Sequence, residues 1–203
     1  MNYLALDTSG KNLTVVVNKN GEIYKYYDSE CGTNHSVTLM PKIEELILKA
    51  DFDLKKADFL AVVVGAGSFT GIRIGVSTIK ALCFSYNLPA LSITSFDTLA
   101  YNVKSGKVLS VIDASHGGFY VAGYENGEVI IEPSYMLKDE LDKIKDGFTL
   151  VSSSQVDGLE CKTVSVVDGL INAIEQKKDL AVIDLDLVTP LYVRKSQAEE
   201  GRK

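Results

Sequence analysis

Two short turns carry the residue types best suited to chemistry. Asp7-Thr8-Ser9 closes the apolar stretch Leu4-Ala5-Leu6, and Asp113-Ala114-Ser115 closes Ser110-Val111-Ile112. A hydroxyl-rich turn after a strand offers N–H groups and hydroxyls to a phosphate, and its carboxylate can hold Mg²⁺ through water. The same residues also make Asx turns that satisfy only their own backbone. The most distinctive segment is Gly65-Ala66-Gly67-Ser68-Phe69-Thr70-Gly71-Ile72-Arg73-Ile74-Gly75. No Gly-Lys-[Ser/Thr] closes it, so it is not a Walker A loop. Thr70 stands where a dinucleotide fingerprint requires its third glycine, and Ala66 where a nucleophile elbow requires glycine before Ser68. What remains is a strand, a backbone-hugging turn and a helix whose first hydroxyls can cap it. Gly71 and Gly75 lie one helical turn apart and leave one face bare. Such a face suits tight packing inside the chain or a helix–helix contact with another chain.

Other catalytic equipment is scarce. The two histidines, His35 and His116, are far apart, and there is no H-x-x-x-H, H-E-x-x-H or Ser/His/Asp set. His35, followed by Ser36, is placed to cap or precede a helix. Cys31, Cys83 and Cys161 form no C-x-x-C pair, which points to a reducing compartment and away from a disulfide framework or zinc site. Neither a metal nor a cofactor is expected.

The elements that must position these turns follow from periodicity. Alternation predicts strands over 3–6, 13–18 and 22–27, the last two joined by the Asn20-Gly21 hairpin signal. Apolar positions Leu39, Met40, Ile43, Leu46, Ile47 and Ala50 predict an amphipathic helix. Pro41 within it implies a late start or a kink. The run 59–64 reads as a strand buried on both faces. A helix over 72–86, a strand over 90–93 and a helix over 95–103 follow. Beyond the second meander the spacing predicts helices over 138–145 and 166–176 and a strand over 148–152. Residues 180–187 are apolar with regular aspartates, 190–194 read as extended, and 195–203 as a charged, mobile tail.

The second half repeats the opening. Asp7 and Gly21, and Asp113 and Gly127, are both 14 residues apart, and a shift of 106 residues superposes the two patterns. Strand, Asp-[Thr/Ala]-Ser, strand, Asn-Gly, strand, twice at equal spacing, implies two like lobes, each opening with a β-meander. The expected division is 1–105 and 106–194, followed by the tail. The length of 203 residues allows one domain or two small lobes. A hydrophobic share of 46%, a charged share of 24% and a net charge of −6 fit a soluble globular protein. The acidic balance provides no basic field for capturing nucleic acid alone. The opening lacks a basic region, and no apolar run approaches the ~20 residues that span a bilayer, so a cytoplasmic protein is expected.

Six segments occur together, in order: Leu6-Asp7-Thr8-Ser9; His35-Ser36 with Leu39 and Pro41; Gly67-Ser68-Phe69-Thr70-Gly71-Ile72-Arg73-Ile74-Gly75; Ser95-Phe96-Asp97-Thr98-Leu99-Ala100; Ile112-Asp113-Ala114; and Pro190-Leu191-Tyr192-Val193-Arg194. With these the chain resembles the TsaB (YeaZ) family of the bacterial machinery that makes threonylcarbamoyladenosine (t6A) in tRNA, relatives once grouped with M22 glycopeptidases. The resemblance implies an α/β, actin/Hsp70-like (ASKHA) fold of two similar lobes. It also implies a non-catalytic scaffold for TsaD, the transferase that places threonylcarbamoyl on N6 of adenosine 37 in tRNAs reading ANN codons. TsaD carries an H-x-x-x-H metal motif where this chain has Ile93 and Asp97. Pairing through the first two helices is implied, with Leu39, Ile43, Ile47, Gly71, Gly75, Thr78 and Leu82 at the contact. The same face would form homodimers in isolation. The TsaE ATPase joins the complex, and tRNA is met only through it. Asp7, Thr8, Ser9, Asp113 and Ser115 would be degenerate phosphate turns. The family usually has proline at the position of Ala66, and an Arg-rich stretch where this chain has Ser115-His116-Gly117-Gly118. The alternative is a small ASKHA ATPase or phosphotransferase using Asp7 and Asp113 around Mg-ATP.

Overall fold

A computed structural model describes residues 1–115 and 117–194. His116 and the expected tail 195–203 lie outside the described residues. The chain divides into two compact units, each with its own five-stranded sheet. The first takes Met1–Ile93 and Ile174–Leu191, and the second begins at Thr94 rather than at the expected residue 106.

In the first unit, β1 (Asn2–Asp7), β2 (Leu13–Lys19) and β3 (Glu22–Asp28) form an antiparallel meander. Asn20 and Gly21 both have positive φ at the β2–β3 hairpin, as that turn requires. β4 (Phe59–Val63) and β5 (Ala90–Ile93) add in parallel on the other side of β1, giving the order β3-β2-β1-β4-β5. β4 is buried at every position, the burial expected for an uninterrupted apolar run. Helix α1 (His35–Lys49) packs against β2 and β3, and α2 (Phe69–Tyr86) packs chiefly against β4. Pro41 lies inside α1, which begins well before it, so the late start is ruled out. Leu39, Ile43 and Leu46 of α1 meet Ile72, Ile79 and Cys83 of α2 in one core with Leu4, Leu6, Val15, Val17 and Leu60.

The second unit repeats the plan. β6 (Lys107–Asp113), β7 (Gly118–Glu125) and β8 (Glu128–Leu137) form the antiparallel meander. β9 (Thr149–Ser152) and the two-residue β10 (Lys162–Thr163) add in parallel, giving β10-β9-β6-β7-β8. Position for position this is the order of the first sheet. Helix α3 (Ser95–Ala100) packs on β6, β7 and β9, which is why this unit starts before its first strand. Helix α4 (Lys138–Ile144) packs on β8, and α5 (Val166–Lys177) follows β10.

Candidate functional site

Asp7 ends β1 opposite Thr14 of β2 and is only 3% exposed. Its carboxylate accepts from the Ser9 N–H at 2.8 Å and the Ser9 hydroxyl at 2.7 Å, a closed Asx turn. Burial pushes the Asp7 carboxyl above its usual range, against the opposing pull of its hydrogen bonds from Ser9 and of nearby Asn12 and His35. His35, first residue of α1, is buried, and its Nε2 donates to the Asn12 carbonyl at 2.9 Å. It therefore ties the helix start to the turn, the plain role its position suggests.

The glycine loop closes over the same turn. The Ser68 N–H donates to the Ser9 carbonyl at 2.6 Å, and the Thr8 hydroxyl donates to the Gly71 carbonyl at 2.7 Å. A Cβ on Gly67 would stand 2.1 Å from the Ser9 oxygen, and one on Gly71 only 2.0 Å from the Thr8 oxygen. A Cβ on Gly75 would stand 2.5 Å from the Thr8 hydroxyl. Real side chains never approach so closely, so only glycine lets α2 lie on the turn. Ser68 caps α2 by accepting from the Gly71 N–H, which starts the helix at Phe69, three residues before the expected Ile72. The turn that could hold a phosphate is thus occupied by its own chain.

The second turn is open. Asp113 and Ser115 are exposed, and the Ser115 N–H donates to the Asp113 carboxylate at 2.7 Å. Asp97 lies elsewhere in the same unit, buried, where it closes a capping box with Thr94 at the start of α3. The Tyr124 hydroxyl donates to Asp97 at 3.0 Å, and burial together with that carboxylate holds the phenol well above its ordinary range. Among the described residues no group of three or more His, Cys, Asp or Glu side chains is placed to share a metal.

Part of the expected contact face, Leu39, Ile43, Gly71 and Gly75, points inward instead. Gly71 and Gly75 face inward onto Thr8, and Leu39 and Ile43 belong to the core. Ile47 and Leu82 are half-buried against that core, and Thr78 is half-buried. The physical reason is simple: the strongest apolar stripe of a surface helix is the one that faces its own sheet. The outward faces are different. On α1 they carry Val37 (69% exposed), Met40 and Leu48 (76%), at positions one helical turn or a multiple apart. On α2 they carry Arg73, Ser77, Ala81 and Phe84, the last 83% exposed. The Arg73 guanidinium stacks over the Phe69 ring, 3.7 Å from its centroid. On α1 a second apolar set, rotated from the core stripe, is the sequence signal for this face, whereas among those α2 residues only Phe84 is large and apolar.

Two five-stranded sheets of one order, each with an Asp-x-Ser turn after its first strand, define an α/β protein of the actin/Hsp70-like (ASKHA) class. Comparison with known proteins narrows this. The family model described as "TsaD: tRNA N6-adenosine threonylcarbamoyltransferase" matches residues 28–182. The tRNA threonylcarbamoyladenosine biosynthesis protein TsaB of Bacillus subtilis is 32% identical over 153 residues, 72% of this chain and 67% of that protein. The Escherichia coli protein of the same name is 30% identical over 132 residues, 63% of this chain and 57% of its own length. The solved structure of YeaZ from Pseudomonas aeruginosa superposes with a TM-score of 0.79 at 20% identity, covering 94% of this chain and 99% of that one. The chain belongs to the TsaB (YeaZ) family. Among the described residues no helix is long and apolar enough to cross a membrane.

Proposed function

We propose that this chain serves t6A biosynthesis as a non-catalytic partner of a TsaD-type transferase, which it holds through the outward faces of α1 and α2. One observation carries the reading: these neighbouring helices expose Val37, Met40, Leu48 and Phe84, large apolar side chains that a buried contact would cover. Alone, two copies of the chain would pair through the same faces. A TsaE-type ATPase would complete the assembly, and tRNA would be bound by the complex rather than by this acidic chain. A phosphotransferase built on Asp7 and Asp113 finds less support, because Asp7 is buried and already accepts from Ser9.

The test is a reconstitution with tRNA, threonine, bicarbonate, ATP, the threonylcarbamoyl-adenylate synthase, and the TsaD and TsaE homologues of the same organism, read by nucleoside mass spectrometry. Modified adenosine should require this chain, persist with Asp113→Ala, and fall at least tenfold with Phe84→Asp, as expected when a central aromatic anchor is lost. Product formed equally well without this chain would overturn the reading.

A further inference from the structure

After α5 the chain does not simply end. Residues 178–191 form a strap along the first unit. Val182 exchanges two hydrogen bonds with Ala90 of β5, and the Leu191 N–H donates to Val64 at 2.7 Å. The short 3-10 turn at Leu185–Leu187 packs against α2, Val188 is buried, and Val182, Leu185 and Leu191 rest on the core. One side of the strap is therefore fully used. The other side exposes Leu180, Ile183 and Leu187 at 66%, 65% and 64%, interleaved with exposed Asp179, Asp184 and Asp186. No basic side chain among the described residues pairs with Asp184 or Asp186.

Isolated exposed aliphatic residues need no explanation, but three within eight residues, each flanked by a carboxylate, form a patterned surface. Because the strap is anchored at the start of β5 and just past the end of β4 and packs on α2, a protein seated on the outer face of α2 meets it next. The charge pattern restricts that protein's chemistry. A surface that covers these aliphatic side chains beside the unpaired carboxylates of Asp184 and Asp186 must itself be apolar at its centre and carry Lys or Arg at its rim. A second copy of this chain, with net charge −6 and the same acidic strap, fits poorly.

We propose that strap 178–187 is a second contact site for the partner that sits on α1 and α2, met by an apolar surface rimmed with basic residues. This rests on the helix-face reading above. The aspartates would speed and orient encounter, and the aliphatic residues would prolong the complex.

The experiment measures association and dissociation rates with the TsaD homologue of the same organism. It uses full-length wild type, the triple variant Asp179→Asn/Asp184→Asn/Asp186→Asn, the triple variant Leu180→Ser/Ile183→Ser/Leu187→Ser, and Phe84→Asp. Asn at 184 keeps the side-chain oxygen that accepts from the Asp186 N–H at 3.1 Å, so the local turn is preserved. The acidic triple should slow association about tenfold at low salt, with the difference vanishing at high salt. The aliphatic triple should speed dissociation about tenfold or more with an unchanged melting temperature. Wild-type rates for both triples, alongside lost binding in Phe84→Asp, would overturn the strap site and leave the helix face standing. Wild-type binding by Phe84→Asp would overturn the helix-face reading instead. A melting temperature that falls in step with affinity would make the strap merely structural.

Discussion

The two Asp-x-Ser turns begin alike and end differently. Each follows the first strand of a meander, and each Asp accepts from the N–H two residues on, at 2.8 Å in Ser9 and 2.7 Å in Ser115. Yet Asp7 is buried and Asp113 is exposed. The difference arises beyond the meander. In the first unit the fourth strand leads through the glycine loop into the 18-residue α2, whose start lies on the turn. In the second, β9 leads into a loop and then into the two-residue β10, with no helix between them. Thr8 anchors Gly71 through its hydroxyl, and its counterpart Ala114 has no hydroxyl to give. The local turn is written in three residues, whereas its burial is decided by a helix more than sixty residues later.

The largest test of this contrast is steric. Gly71→Ala would set a Cβ 2.0 Å from the Thr8 carbonyl, whereas Gly117, with φ +77°, has nothing within 4 Å of an added Cβ. Gly71→Ala should therefore cost about 3 kcal/mol in urea unfolding. Gly117→Ala should cost only the left-handed strain of about 1 kcal/mol. Equal losses would erase the distinction between the turns.

Next comes the anchor. Thr8→Val removes the donor to the Gly71 carbonyl in a buried site and should cost about 1–3 kcal/mol. Ala114→Thr should change stability by less than about 0.5 kcal/mol, since no glycine loop waits for its hydroxyl. A gain at Ala114 comparable to the loss at Thr8 would show a hidden partner there.

The smallest effect concerns charge. The Asp7 carboxyl is pushed up by burial, so its ionisation opposes folding. Its contribution favours the folded chain fully below the unfolded carboxyl range and is lost as pH rises through the raised folded value. Asp7→Asn keeps an acceptor for Ser9 and removes that loss. Thermal unfolding should find it at least as stable as wild type near about pH 7, with the advantage gone near about pH 4. Asp113→Asn should shift stability by less than about 0.5 kcal/mol at either pH. A variant at Asp7 that is clearly weaker at neutral pH would mean that the ionised carboxylate is needed.

Much of the fold was legible because alternation, turn residues and the 106-residue repeat all point the same way. The strands of the first meander appear within one residue of their expected bounds, and the second meander follows where the repeat places it. β10 was invisible because Lys162-Thr163 is too short to alternate. The strap was visible only as apolar residues among aspartates, since its two backbone bonds join Val182 to Ala90, 92 residues earlier. The site was half legible. An Asp-Thr-Ser turn and a glycine-bearing helix face can be read from the chain. That the glycine face meets that very turn cannot, because an i, i+4 glycine pair looks the same whether its neighbour is Thr8 or another protein. Likewise Leu39 and Ile43 announce a buried helix face without saying who buries it.

The return of the chain at Ile174 also sets an order of events during synthesis. The first sheet is laid down by Ile93, but its β5 edge gains Val182, and its core gains Val188, only after the whole of 94–173 has been made. A nascent chain halted after the second meander would carry an open strand edge at Ala90, a template for pairing with other chains. The first unit thus waits on the ribosome for its last residues.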